Sequence, residues 1–96
     1  MSYRESSYQS QVISRLKERF PGCIVLKNDS SYQQGIPDLL ILHGDRWAAL
    51  EVKAYADAPV QPNQDWYITD MYRMSYAAYI YPENEEEVFH DLQRAF

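Results

Sequence analysis

The chain has 96 residues, of which 46% are hydrophobic, so we expect one small globular domain over 1–96 and exclude wholesale disorder. No apolar run has the length of a membrane span, and the single cysteine, Cys23, excludes an internal disulfide, which favours a protein of the cytoplasm without a membrane partner. The net charge of −5 argues against a general nucleic-acid coat, although it leaves a local basic groove open.

The first half of the chain has the pattern of a helix followed by three strands. Apolar residues of the first segment recur at helical spacing: Val12, Ile13, Leu16 and Phe20. This spacing predicts a helix over 2–20 that ends at Pro21 and Gly22. Three runs rich in apolar and β-branched residues predict strands: 23–29, 36–42 and 46–54. The polar stretch 30–35 predicts a loop.

The second half of the chain adds one more strand between two helices. Its predicted elements are a loop with two prolines, a helix, a strand and a final helix: 56–64, 65–74, 76–82 and 83–96. Asn84 and Glu87 predict a capping box at the start of the last helix. The order is therefore α-β-β-β-α-β-α. It indicates an α/β fold with a mixed central sheet of about four strands flanked by helices.

Charged residues occur in two strands that are otherwise apolar. Asp38 opens the first of these runs, and Glu51 and Lys53 lie within the second. A two-residue turn at Gly44 and Asp45 would place Asp38 directly opposite Glu51, as a four-residue loop would, whereas a three-residue loop would not. Lys53 lies two residues beyond Glu51 and therefore shares its face of the sheet.

Two carboxylates held this close repel each other, and a divalent cation removes the conflict. Oxygen ligands of this kind suit Mg²⁺ or Mn²⁺, while the Lys53 ammonium can orient the attacking water or stabilise charge on a phosphoryl oxygen. The pattern thus favours a metal site for phosphodiester cleavage. Solvated surface charges are the alternative. The apolar context and Pro37, which cannot donate to a ladder and bends the chain before Asp38, favour the metal site.

Pro37-Asp38 followed by Glu51-Val52-Lys53 resembles the motif of the PD-(D/E)XK nuclease superfamily. The flanking words GIPDLLIL, ALEVKA, PNQDWYITDM and YAAYIY are similar to the VRR-NUC (virus-type replication-repair nuclease) family in its short standalone form. This resemblance implies a restriction-endonuclease-like fold and a DNA endonuclease that depends on Mg²⁺ or Mn²⁺. It further implies a Holliday-junction resolvase that acts as a homodimer on four-way DNA. Flap or plain duplex DNA as substrate, and a non-catalytic DNA-binding module, remain alternatives.

The resemblance also assigns roles to individual residues. Asp38, Glu51 and the carbonyl group of Val52 would bind the metal, and Lys53 would be the catalytic lysine. The standalone form further implies a phage or bacterial source, with the protein in the host cytoplasm or nucleoid.

Two further positions match a glutamate early in the first helix and a glutamine opening the second, namely Glu5 and Gln64. We expect Glu5 to contribute to the metal site directly or through water, although Ser2 and Glu5 also have the spacing of a capping box. Gln64 is expected at the catalytic site, with Gln61 and Gln9 as weaker substitutes. Four polar or basic residues are candidate DNA contacts, with solvated surface groups as the alternative: Lys27, Asn28, Arg4 and Arg15. Histidines and tryptophans are interpreted as structural or interface residues: His43, His90, Trp47 and Trp66.

Overall fold

The computed structural model describes residues 3–96. Its elements follow in the order α1 (Tyr3–Arg19), β1 (Ile24–Lys27), β2 (Leu39–His43), β3 (Arg46–Val52), α2 (Pro62–Met74), β4 (Tyr76–Ile80), a 3₁₀ helix (Pro82–Asn84) and α3 (Glu85–Ala95). This order confirms the predicted α-β-β-β-α-β-α arrangement and the α/β class. None of the helices found between residues 3 and 96 has both the length and the apolar character needed to cross a membrane.

The sheet is mixed, with strand order β1-β2-β3-β4. β2 pairs antiparallel with β1 and with β3, whereas β4 runs parallel to β3. Leu39 pairs with Leu50 and His43 pairs with Arg46, so the turn contains two residues. Gly44 occupies it with a positive φ of 63°, which glycine adopts without the steric cost of a Cβ. The predicted hairpin register is therefore confirmed.

The apolar core lies between one face of the sheet and the helices α1 and α3. Its buried residues come from all three: Val12, Leu16, Leu39, Ile41, Leu50, Val52, Ile80, Phe89 and Leu92. Side chains alternate along a strand, so Leu50 and Val52 point into this core while Ala49, Glu51 and Lys53 point to the opposite side. Helix α2 packs against β3 and β4 on that opposite side. The functional candidates thus face away from the main core and toward α2.

Three predicted strand boundaries were too wide. β2 begins at Leu39 rather than at residue 36, because Pro37 has no N–H to donate to a ladder. β1 ends at Lys27, and β3 ends at Val52, so that Lys53 is the residue immediately after the strand. Asp38 and Lys53 therefore flank the hairpin strands rather than lying within them.

Two helix starts also differ from prediction. α2 begins at Pro62 and not at residue 65, since proline is favoured at the first helical position. The predicted capping box of Asn84 and Glu87 is wrong. The Asn84 side chain instead accepts a hydrogen bond from the Tyr81 N–H at 2.9 Å and donates one to the Tyr79 carbonyl at 3.0 Å, which forms the 3₁₀ helix before α3.

Candidate active site

Asp38 and Glu51 meet at the end of the β2–β3 hairpin. The Val52 N–H donates a hydrogen bond to Asp38 Oδ2 at 2.9 Å, and the Asp38 N–H donates one to Glu51 Oε1 at 3.2 Å. Each carboxylate is thus held by the backbone of the segment that carries the other. Glu51 is only 6% exposed. The structure therefore brings these two predicted residues together and excludes most water from the pair.

Burial disfavours the ionised forms of both carboxyl groups, and the charge of Asp38 adds to this effect on Glu51. Burial is the main cause that raises the pKa of Asp38, and the charge of Glu5 adds to it, while the hydrogen bond from the Val52 N–H acts in the opposite direction. Burial, followed by the charge of Asp38, raises the pKa of Glu51 to about 8. Without a cation, the pair consequently retains a proton near neutral pH.

Asn28 fixes the backbone that carries Asp38. Its own N–H donates to the Asp38 carbonyl at 2.8 Å, and its side-chain Nδ2 donates to the Pro37 carbonyl at 2.8 Å. Pro37 is fully buried beneath this contact. The Asn28 amide, a candidate DNA contact or solvated surface group from the sequence, is therefore used inside the protein as a positioning group for Asp38.

Gln64 enters the site from the first turn of α2. Its Nε2 donates to Glu51 Oε2 at 2.7 Å, and its Oε1 accepts a hydrogen bond from the Gln61 N–H at 2.9 Å. The second contact fixes the orientation of the amide, so that its N–H₂ group points to the carboxylate. Gln64 thus reaches the site, whereas Gln61 supports it through its backbone.

Lys53 lies on the same side of the sheet, 4% exposed. Its Nζ donates to the Pro59 carbonyl at 3.0 Å and lies 5.2 Å from the centroid of the Tyr79 ring, a cation–π distance. Tyr79 is the strand partner of Glu51 in β4, and its hydroxyl donates a hydrogen bond to Asp65 of α2. Sequence reasoning missed Tyr79. The only signal for it is the parallel register of β3 and β4, which no local pattern reveals.

The other candidates are placed around this centre. Glu5 of α1 is close enough for its charge to act on both Asp38 and Glu51. The capping alternative for Glu5 involves Ser2, which lies outside the described residues. The Arg4 guanidinium lies 5.1 Å from the ring centroid of Tyr55, two residues beyond Lys53.

The remaining basic candidates are less closely tied to the acid pair. Arg15 bonds Glu85 of α3 at 2.8 Å, a contact that occupies its guanidinium within the protein, and Lys27 is exposed at the end of β1. Gln9 is buried in α1. His43 packs against Phe20 and Phe96, with ring centroids 6.1 and 5.2 Å away.

The two tryptophans and the second histidine lie in different surroundings. Trp47 is half-buried in β3 and Trp66 is exposed on α2. The His90 ring lies 3.9 Å from Glu86 on the surface of α3.

The donor set at the acid pair suits a hard divalent cation, although protein side chains alone do not complete it. Within residues 3–96, no three or more His, Cys, Asp or Glu side chains are grouped closely enough to hold a metal ion. The buried carboxylate of Glu51 and the half-buried carboxylate of Asp38 supply oxygen ligands, and the repulsion between their ionised forms favours a positive charge beside them. The Val52 carbonyl, between Glu51 and Lys53, is the further oxygen that would join Asp38 and Glu51 around an ion.

No protein-family model matches the chain, and no curated protein matches it in sequence. Among solved structures, the chain is similar to one described as a VRR_NUC domain protein, with a TM-score of 0.68 and 16% sequence identity. The match covers 100% of this chain and 90% of that one. This likeness confirms the predicted fold, which the chain shares with that VRR_NUC domain protein.

Proposed function

We propose that the protein is a divalent-metal-dependent endonuclease that hydrolyses phosphodiester bonds in DNA. The observation that carries this proposal is the buried Asp38–Glu51 pair, with Lys53 and Gln64 converging on the same side of the sheet. Two repelling carboxylates in a water-poor site do not stabilise a protein by themselves, and a divalent cation bound between them would remove the repulsion. The shared fold with a VRR_NUC domain protein supports the same activity.

Asp38, Glu51 and the Val52 carbonyl would hold Mg²⁺ or Mn²⁺, which when bound supplies positive charge for the phosphodiester and the attacking water. Gln64 donates to one oxygen of Glu51 and the Asp38 N–H donates to the other, which fixes the orientation of the carboxylate that would bind the ion. Lys53 carries a positive charge close to Glu51. By exchanging the Pro59 carbonyl for a phosphate oxygen, its ammonium would stabilise the negative charge that builds up during hydrolysis. Glu5 would add a carboxylate at the edge of the site, directly or through water.

For the substrate we propose branched DNA, with the four-way junction preferred, cleaved by a homodimer that brings one acid pair to each of two strands. The resemblance of the sequence motifs to standalone VRR-NUC proteins supports this choice. Two copies carry a total formal charge of −10, twice the −5 of one chain. DNA must then meet a local basic surface, for which Arg4 and Lys27 are the candidates. The proposed place of action is the cytoplasm of a bacterial host, consistent with access to DNA.

The test is cleavage of end-labelled four-way junction, flap and linear duplex, each with Mg²⁺, Mn²⁺ or EDTA. Asp38→Asn removes one charge from the pair, and Asp45→Asn, in the exposed hairpin turn, is the matched control. We expect cuts on the junction that need metal, disappear in Asp38→Asn and persist in Asp45→Asn. Equal cleavage of all three substrates would show a nuclease of broader specificity and not a resolvase. Tight DNA binding without cleavage under any metal would refute the enzymatic proposal.

A further inference from the structure

A groove of about 530 Å³ opens beside the acid pair, between the loop that precedes β2 and the start of α2. Its polar lining comes from both segments: Ser30, Ser31, Gln34, Gln61, Asn63 and Gln64. Gln64 belongs to the groove and also donates its hydrogen bond to Glu51. A group bound in the groove would therefore lie next to the bond that the acid pair is proposed to cleave.

The lining of the groove is polar but uncharged. Among the described residues, neither an acidic nor a basic side chain lines it. Serine, asparagine and glutamine can hydrogen-bond phosphate oxygens, but without Arg or Lys the groove lacks the positive charge that dominates binding of the DNA backbone. Hydroxyl and carboxamide groups instead match the donor and acceptor edges of nucleobases, which Asn, Gln and Ser read by hydrogen bonding.

The loop that forms one wall of the groove also carries an exposed aromatic ring, Tyr32, which lies between the lining residues Ser31 and Gln34 and is not itself part of the lining. Tyr32 follows Ser31 and is 87% exposed, which is the highest exposed fraction of any large hydrophobic side chain among the described residues. Aromatic side chains of this kind are the stacking partners of unpaired bases in single-stranded nucleic acids. A stacking ring beside a wall of amides and hydroxyls is the combination that a displaced base requires.

The groove is preformed by contacts within the loop and with α2. Asp29 Oδ1 accepts hydrogen bonds from the Ser31 N–H at 2.9 Å and from the Ser31 hydroxyl at 2.6 Å. Gly35 has φ +87°, and a Cβ at this position would lie 2.4 Å from Asn63 Cβ. The loop therefore rests directly on the first turn of α2, and glycine permits that close approach.

We propose that this groove, together with Tyr32, binds a nucleobase that is displaced from its stack at a branch point, and thereby selects branched over fully paired DNA. The inference rests on the proposed nuclease function and adds the basis of its substrate choice. A linear duplex offers no such base, so it would engage the acid pair without the contribution of the groove.

The experiment uses a four-way junction and a forked duplex with 2-aminopurine at the branch point, and a linear duplex of the same sequence. Tyr32→Ala removes the stacking ring and Gln34→Ala removes an amide of the wall. Tyr72→Ala is the matched control, since Tyr72 is an exposed tyrosine of α2 that lies outside the loop that forms the groove. Binding is followed in EDTA by the fluorescence of 2-aminopurine, which reports stacking directly, and cleavage is followed with Mg²⁺ or Mn²⁺.

We expect Tyr32→Ala to weaken binding of branched DNA roughly five- to 100-fold and to abolish the fluorescence change. Its preference for branched over linear DNA in cleavage should fall by the same factor, while cleavage of linear duplex and the Tyr72→Ala control stay at the wild-type level. An unchanged preference and fluorescence signal in both groove variants would overturn the inference. If the wild-type protein cleaves none of the substrates, the proposed function is wrong. The fluorescence result alone then decides whether the groove binds a displaced base.

Discussion

The acid pair should make the metal-free protein less stable as the pH rises, and Glu51→Gln should remove this effect. Burial and the charge of Asp38 raise the pKa of Glu51 from 4.5 to about 8 in the folded protein. Between these values the folded state binds a proton that the unfolded chain has already released. Stability contributed by the protonated pair is therefore fully present below pH 4.5 and is lost as the pH rises through about 8. The raised pKa of Asp38 acts in the same direction.

The magnitude follows from the same pKa change. One pKa unit corresponds to about 1.4 kcal/mol, so complete ionisation of Glu51 should lower the free energy of unfolding by on the order of 5 kcal/mol. Glu51→Gln mimics the neutral acid, because its side chain carries no charge at any pH; its single oxygen keeps one of the two hydrogen bonds that Glu51 accepts, from the Asp38 N–H or from Gln64. The variant should therefore keep nearly the same stability across this pH range.

The assay is urea denaturation in EDTA between pH 5 and pH 9 for wild type, Glu51→Gln and Asp45→Asn. The control residue Asp45 has a side chain that is 96% exposed, so its variant should follow the wild type. Added Mg²⁺ should restore stability to wild type at high pH and leave Glu51→Gln unaffected. Equal stability of the metal-free wild type at pH 5 and pH 9 would refute the claim of a buried, repelling pair.

Three further outcomes follow from the site. Asn28→Ala removes the hydrogen bond to the Pro37 carbonyl and should weaken Mn²⁺ binding by roughly 10- to 100-fold, because groups that orient a metal ligand have effects of this size. Calorimetry measures the affinity. An unchanged affinity would show that Asn28 does not position Asp38. Tyr79→Phe keeps the ring beside Lys53 and should retain junction cleavage. Tyr79→Ala should reduce the cleavage rate by about tenfold or more at unchanged DNA affinity. Equal rates for the two variants would show that the ring does not contribute to cleavage. Binding of junction DNA should weaken as a power of the salt concentration if Arg4 and Lys27 contact phosphates, and a salt-independent dissociation constant would contradict that surface.

The hairpin could be predicted from sequence because its determinants are local. Gly44 and Asp45 specify a two-residue turn, the turn sets the register, and the register places Asp38 beside Glu51. The same locality limits the prediction elsewhere. The positioning role of Asn28 could not be predicted, because its partners, the carbonyls of Pro37 and Asp38, belong to a different segment of the chain.

Contacts between distant elements were beyond sequence reasoning. Tyr79 reaches Lys53 only through the parallel pairing of β3 and β4, and a parallel register has no turn that would reveal it. Arg15 has the pattern of a solvated helical charge, yet Glu85 of α3 engages it across 70 residues of sequence. Several strands were predicted too long because the apolar runs continue past the last hydrogen bond of the ladder. Pro37 and the site residues lie beyond those last bonds.

The central claim is that the acid pair and Lys53 form a phosphodiester-cleaving site, and single-turnover cleavage of a labelled four-way junction tests it most directly. Wild type, Lys53→Ala and Lys17→Ala, which removes an exposed lysine of α1, are compared with Mg²⁺ at saturating protein. We expect metal-dependent cleavage by wild type and by Lys17→Ala. For Lys53→Ala we expect junction binding to persist and the cleavage rate to fall by at least about 100-fold, because the loss of one donor that stabilises developing charge lowers the rate by this factor. Cleavage by Lys53→Ala at the wild-type rate would contradict the assignment of the site.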